Sequence, residues 1–298
     1  MRKIILPLLM MFLALGTCPA GALDVTDEMG RPVHIAAPPE RIVSLAPGIT
    51  EMLYALGVGD KIAGVTTFCD WPAAAREKTR IGGFANPSIE KIVSLKPDLI
   101  VATADGNRPE TVMQLARLGL CVYVINPSDT DGVLRSILHL GLVTGRQKEA
   151  EELTGELQAK LARLARLTGL RKKPRVFFQL GLDPIVTAGR GTLIDEVIER
   201  AGGINVAAQG PARYPRYSAE GIIQAGPDII VFAPMVNDRE FVAVRKFWQK
   251  YKDVPAVKNN RIYPLDANLI NRASPRIFEA VEKMAYIFHP DISPEASP

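Results

Sequence analysis

The chain has 298 residues, 47% hydrophobic and 23% charged, with 36 lysines and arginines against 32 acids for a formal charge of +4. That is the balance of a folded globular protein, long enough for two domains. So small a net charge, with no basic block interleaved with aromatics, excludes an electrostatic nucleic-acid binder.

In chain order, the first residues read as an export signal. Arg2 and Lys3 give a positive start, residues 4–15 an apolar core, and Ala20-Gly21-Ala22 a small-residue cleavage site. Residues 1–22 are therefore expected to be a leader cut near Ala22, and losing its two positive charges leaves the mature chain at +2. The apolar core is short for a membrane span, and no later run reaches the ~20 apolar residues a membrane helix needs. Leu15-Gly16-Thr17-Cys18 has Thr where a lipid-attachment sequence usually has Gly, Ala or Ser, so anchoring at Cys18 is the lesser expectation. The mature product is expected to work outside the cytoplasm.

Residues 23–40 form a polar, turn-rich lead-in. Residues 41–45 read as a strand, turned by Pro47-Gly48 into a helix over 50–56 that Gly57 closes. A strand at 61–65 leads into the loop Thr66-Thr67-Phe68-Cys69-Asp70-Trp71-Pro72. After Gly82-Gly83-Phe84, Ser88 caps a short helix with Glu90 in its first turn, Pro97-Asp98 breaks it, and 99–102 is an aliphatic strand. A helix over 109–118 and a strand over 121–125 follow.

The second half repeats this order. A strand at 175–180 and a helix at 192–201 precede Ser218, Glu220, Pro227-Asp228 and the strand 229–232. A helix near 240–251, a strand at 261–265 and a helix over 276–288 complete it. Ser88 and Ser218, Glu90 and Glu220, Pro97 and Pro227, and Val101 and Val231 all stand 130 positions apart. One repeat at that distance predicts twin lobes rather than a solenoid. Between them, leucines 153, 157, 161, 164 and 167 mark a helix over 146–168, a rod of roughly 35 Å whose charges read as its solvated side. The fold class expected is α/β: two Rossmann-like βα lobes joined by a single long helix, with a ligand cleft between them. The boundaries are 23–143 for the N-terminal lobe, 144–172 for the connecting helix and 173–298 for the C-terminal lobe.

Chemistry-bearing clusters are sparse. After leader removal only Cys69 and Cys121 remain; a disulfide is permitted outside the cytoplasm, but nothing in the sequence places the two together. His34, His139 and His289 have no ligand spacing, so no metal site is expected. There is no Ser-His-Asp or Cys-His constellation. Gly189-Arg190-Gly191-Thr192 could form a phosphate turn, but position 194 is Ile instead of glycine, and no Walker sequence exists. The reading is not an enzyme, with no catalytic residue and no cofactor.

Several segments together carry a resemblance: Arg41-Ile42-Val43-Ser44-Leu45-Ala46-Pro47 with Thr50-Glu51, Phe68-Cys69-Asp70-Trp71-Pro72, residues 82–90, Lys96-Pro97-Asp98-Leu99 and Arg272-Ala273-Ser274-Pro275-Arg276. With the leader, the twin lobes and the long helix, the chain resembles the helical-backbone class of periplasmic substrate-binding proteins, nearest to its cobalamin-binding members. The resemblance covers about residues 41–288. It implies a periplasmic, monomeric binder that captures cobalamin or a related corrinoid and hands it to the permease dimer and ATPase subunits of an ABC importer. A siderophore or haem binder is the alternative, and a chelatase-like enzyme, which would show a histidine and glutamate pair in the cleft, is a weaker one.

Matched to the family, Phe68, Phe84 and Tyr214 stand where ligand-facing rings occur, and the segment from Asn268 through Leu269 to Arg272 also matches ligand contacts. Asn268 replaces an acid and Leu269 an aromatic seen in relatives. Trp71 joins them from its loop position. A corrinoid, broad and fringed with amides, needs flat rings and a few polar donors, whereas anionic siderophores or haem would want cations, for which Arg190 and Arg213 are available. Arg276 could instead open the last helix and pair with an acid. Glu90 and Glu220 could merely favour the helix dipole. Their equivalence, and the resemblance, mark them as docking residues for arginines on the two permease subunits.

Overall fold

The computed structural model describes residues 22–233 and 238–293. Residues 1–21 of the expected leader, Cys18 among them, lie outside the described residues.

The lead-in is ordered. β1 (Leu23–Thr26) and β2 (Pro32–Ile35) pair as an antiparallel hairpin. Its turn is set by the Asp27 carboxylate, which accepts from the Met29 and Arg31 amides and from the Arg31 guanidinium. Next to it, the Glu28 carboxylate accepts from the Asn126 amide and the Ser136 hydroxyl and faces His139 Nδ1 at 3.1 Å, tying the hairpin to the lobe.

The N-terminal lobe is a five-stranded parallel sheet. Its strands are β3 (Ile42–Ser44), β4 (Ile62–Val65), β5 (Thr79–Arg80), β6 (Leu99–Thr103) and β7 (Val122–Ile125), in the order β5-β4-β3-β6-β7. Every residue of β6 and β7 is buried, which is why these strands read as unbroken aliphatic runs. The helices are α1 (Pro47–Ala55), α2 (Ile89–Ser94), α3 (Pro109–Arg117) and α4 (Thr130–Thr144). α1 starts three residues earlier than its sequence signal, because Pro47 occupies the first helical turn, where its missing N–H costs nothing. α4 is an element the sequence pattern did not reveal; Asp129 caps it through the Gly132 amide, and Gly145 ends it in the left-handed region at φ +70°.

α5 (Gln147–Thr168) crosses between the lobes, 22 residues or about 33 Å long. Its charges do more than meet solvent: Lys160 and Arg163 both reach Glu282 in the C-terminal lobe.

That lobe holds β8 (Arg175–Leu182), β9 (Ile185–Thr187), β10 (Ile204–Asn205), β11 (Ile229–Phe232) and β12 (Ile262–Pro264). Four run parallel in the order β10-β8-β11-β12, with β9 antiparallel against β8. Its helices are α6 (Leu193–Arg200), α7 (Ala219–Ala225), α8 (Asp238–Trp248), α9 (Pro255–Lys258), α10 (Ala267–Ile270) and α11 (Ile277–Phe288). The order β4-β3-β6-β7 in one lobe thus matches β10-β8-β11-β12 in the other, which is the structural form of the repeat. One apolar cluster runs through both lobes by way of α4, α5, α6 and α11, joining Ile137 and Leu140 to Leu157, Leu161, Ile198 and Met284. Each lobe keeps a separate smaller cluster on its other sheet face. The lobes therefore share a core behind the cleft and part company in front of it.

Candidate functional site

The cleft opens where parallel strands end. From the N-terminal lobe its wall is built by residues at or just beyond strand C-termini: Ala46 to Ile49 after β3, Phe68 after β4, Phe84 after β5, Asp105 after β6 and Pro127 after β7. This is where an open α/β sheet leaves a crevice, since the helices turn away on either side. The facing wall comes from Leu180 on β8, the first residues of α6, the loop before α7 and the segment after β12. Two cavities of ≈ 400 and ≈ 560 Å³ adjoin there, sharing Asp105, Pro127, Asn271 and Ala273. Both fall in the size range of small-molecule sites.

Phe68, Phe84, Asn268 and Arg272 line the first cavity, and Tyr214 with Arg213 lines the second. Phe68 is 63% exposed and Tyr214 56%, so each lobe presents one free ring face to the cleft. Phe84 is set more deeply. Its backbone carbonyl accepts from the buried amide of Asn107, which also donates to Leu45 O and accepts from Thr103 N. Gly106 leaves room for the ring: its φ is +105°, and a Cβ there would run into the Phe84 edge.

Two of the expected contacts lie elsewhere. Leu269 is buried in the shared core and does not line either cavity. It neighbours Asn268 on the short helix α10, and one helical step of about 100° turns one side chain to the cleft and the next to the core. Trp71 stands outside both cavities, exposed, with the Arg276 guanidinium 4.4 Å from its ring centroid. That is cation–π distance, and it makes Trp71 a cover for the lobe seam.

Arg272 closes the cleft floor across the lobes. Its Nη1 donates to Glu51 Oε1 at 2.9 Å and Asp70 Oδ1 at 2.7 Å, while Nη2 donates to Asn268 Oδ1 and the Phe68 carbonyl. Glu51, its side chain 2% exposed, accepts also from Ser274 Oγ at 2.7 Å, and Arg276 lies 3.7 Å away. Burial disfavours the charge on Asp70, but the Arg272 guanidinium outweighs it and holds the carboxyl below its ordinary range. For Arg272 burial again opposes the charge, and bonds to Asp70 and Glu51 raise it regardless. The arginine's charge is thus matched by two carboxylates. Backbone packing is equally tight here, for a Cβ on Gly48 would lie 2.5 Å from Ala273 O. Behind the cleft, the Thr130 amide and hydroxyl donate to Glu196, and Arg200 bridges Glu196 and Asp131.

Arg213 and Asp105 are the cleft's remaining charges, neither in an ion pair among the described residues. Glu51, Asp70, Asp105 and Asn107 were not singled out as site residues from sequence, and Asn271 entered only as part of the segment from Asn268 to Arg272. Glu51 left a signal, an acid set among the apolar Ile49, Met52 and Leu53, all of them buried in α1. Among the described residues no cluster of His, Cys, Asp or Glu could hold a metal ion, and Cys69 and Cys121 are both free.

Glu90 and Glu220 are exposed in the first turns of α2 and α7. Both helices start at the sheet edge that faces the cleft, one on each lobe. The Glu90 carboxyl is lowered, first by its own backbone amide and then by the Ser88 hydroxyl, which donates to it at 2.9 Å.

Known proteins share this architecture. The periplasmic binding protein family model matches residues 42–269. The vitamin B12-binding protein of Vibrio cholerae is 32% identical over 248 residues, 83% of this chain and 88% of its own. A crystal structure of the periplasmic vitamin B12 binding protein BtuF of Vibrio cholerae superposes with a TM-score of 0.76 at 31% identity, covering 84% of this chain and 97% of that one. The periplasmic heme-binding protein RhuT from Roseiflexus sp. RS-1, in apo form, gives 0.75 at 30% identity, over 84% and 98% of the two chains. The ABC transporter substrate-binding lipoprotein YvrC of Bacillus subtilis is 32% identical over 276 residues, 90% of this chain and 86% of its own.

Proposed function

The chain belongs to the periplasmic binding protein family, and from that premise we propose that its cleft captures cobalamin or a related corrinoid for delivery to an ABC importer. As a member it is a non-enzymatic substrate-binding protein of an ABC importer, working outside the cytoplasm. What carries the corrinoid reading is the make-up of the cleft wall. Phe68 and Tyr214 offer flat faces from opposite lobes, Asn268 and Asn271 offer amide hydrogen bonding, and the lining arginine Arg272 already has its charge matched. A macrocycle fringed with amides suits such a wall, because it brings rings to stack and amides to bond without needing spare charge. The relatives from Vibrio cholerae support the same choice.

Haem is the second reading, favoured by the Tyr214 phenol as an iron ligand and by Arg213 as a free cation for a carboxylate. The RhuT likeness supports it. Calorimetric titration of the mature chain with cyanocobalamin, haem and a ferric hydroxamate separates the readings. One-to-one saturation by the corrinoid alone is expected; saturation by haem or the hydroxamate without a corrinoid response overturns the ligand assignment and leaves the class intact.

Glu90 and Glu220 complete the proposal as anchors for two cationic sites on a permease dimer. Their exposure and their equivalent places on the two lobes support it. Residues 1–22 are the leader in this reading, and the mature chain acts as a monomer. Exchanging both glutamates for arginine should abolish stimulation of the importer's ATPase while corrinoid affinity survives.

A further inference from the structure

Glu90 and Glu220 are not alone on their helices. One turn on, Val93 is 43% exposed and Ile223 36%, and these two again stand 130 positions apart. Single exposed aliphatics are common and need no explanation. Two at the same register of a duplicated helix, each three residues from an exposed carboxylate and so on its face, are a repeated pattern. The intervening Ile92 and Ile222 are both fully buried, so the helices present the same side outward.

The mounting of the helices is duplicated as well. α2 has six residues and α7 seven, too short to persist without anchors. Ser88 Oγ accepts from Lys91 N at the start of one, and Ser218 Oγ from Gly221 N at the start of the other. At the far end the Arg41 guanidinium donates twice to Leu95 O, at 2.8 and 3.0 Å, and Arg175 donates twice to Ala225 O, at 2.7 and 3.1 Å. The arginines are seated in turn by their own amides, which donate to Asp98 and Asp228. Each lobe thus holds its short helix from both ends.

We propose that each lobe carries a two-part footprint, Glu90 with Val93 and Glu220 with Ile223, and that its occupant is a two-fold symmetric transmembrane dimer. Each subunit of that dimer presents a cationic group beside an apolar patch. The single occupant follows from the pairing: a two-fold partner meets two like surfaces, and the acidic half of each calls for a cation opposite it. This rests on the docking role proposed above for the glutamates and adds the apolar half of the contact.

The test uses the mature chain with the corrinoid importer of its own organism in proteoliposomes, reading ATPase stimulation against protein concentration. The paired variant V93S/I223S should raise the half-maximal concentration about tenfold, as truncating interface contacts does, while V93L/I223L stays near wild type. Corrinoid titration and the melting temperature should be unchanged in both, since neither side chain lines the cleft or belongs to a buried apolar cluster. Should V93S/I223S match wild type while E90R/E220R loses stimulation, the apolar footprint is refuted and the glutamate anchors stand. Should both pairs match wild type, both proposals fall. A photo-crosslinker at position 93 or 223 should also label the same transmembrane polypeptide, and one at the exposed Met113 on α3 should not; equal labelling from all three positions refutes the footprint.

Discussion

Replacing Arg272 with methionine removes the cation that joins the lobes while keeping most of its bulk. Glu51 then stays buried at 2% exposure, with Ser274 Oγ at 2.7 Å and Arg276 at 3.7 Å as its remaining company. Breaking a buried ion pair by deleting one partner costs about 3–5 kcal/mol. Because Arg276 and Ser274 still face the carboxylate, the expected loss is at the low end, about 3 kcal/mol. Asp70, with its side chain 46% exposed, rehydrates and adds little. For a protein of this size that corresponds to a fall in Tm of roughly 6–12 °C. Urea unfolding of wild type, R272M, E51M and the double variant R272M/E51M forms the cycle that isolates the pair. The double variant should recover much of the loss, since a buried pair replaced by packed apolar groups is often close to neutral. An R272M variant within about 0.5 kcal/mol of wild type, or a double variant no better than either single one, would refute the account of the seam.

The other predictions concern the cleft wall and its supports. F68A and Y214A should each weaken corrinoid binding about tenfold in calorimetry, the size of a lost aromatic contact, with Tm unchanged because both rings are exposed. N107A should lose about 2–3 kcal/mol in urea unfolding, because Thr103 N, Leu45 O and Phe84 O are left without their buried partner. Acid should weaken the seam in a defined window. Asp70 is held below its ordinary value, so its contribution is complete above the free carboxylate's pKa of about 3.9 and is lost as pH falls through the lower folded value. Tm measured from pH 7 to pH 3 should therefore fall more steeply below about pH 4 in wild type than in D70N; parallel curves would remove Asp70 from the seam.

Much of this protein is legible residue by residue. Aliphatic runs such as 99–102 and 229–232 show as buried strands because parallel strands are covered on both faces. Serine caps and Pro-Asp breaks frame α2 and α7 in the same way. α4 escaped although Val133, Leu134, Ile137 and Leu140 recur at helical spacing, because the exposed side opposite them carries Leu138 as well as Asp131 and Arg135 and so gives little polar contrast. β1 and β2 do alternate, as Leu23-Asp24-Val25-Thr26 and Pro32-Val33-His34-Ile35, but four residues apiece is the shortest run in which the pattern can be read. At the cleft, sequence could nominate Arg272 as a ligand contact but could not see its partners, which lie 202 and 221 positions away. Leu269 and Trp71 show the same limit, since which way a loop or a four-residue helix aims a side chain is decided by the opposite lobe.

The two lobes are held together more firmly than a single connecting helix requires. α5 packs on α4 and α11, the apolar cluster runs unbroken through all three, and ion pairs bind the lobes both at the cleft floor and behind it. A swing about α5 large enough to empty the cleft must break Arg272 from Glu51 and Asp70, or Thr130 and Arg200 from their acids. A bulky guest therefore meets a largely preformed site, where little ordering entropy opposes binding, and its departure needs a force on the lobes themselves. On the proposed docking, a partner gripping the footprint of each lobe acts directly on the distance between them. Cutting the seam with R272M should then lower the partner's share of that work, so release of bound corrinoid without the importer should become faster in stopped-flow. An unchanged release rate in R272M would mean that the seam does not hold the ligand in.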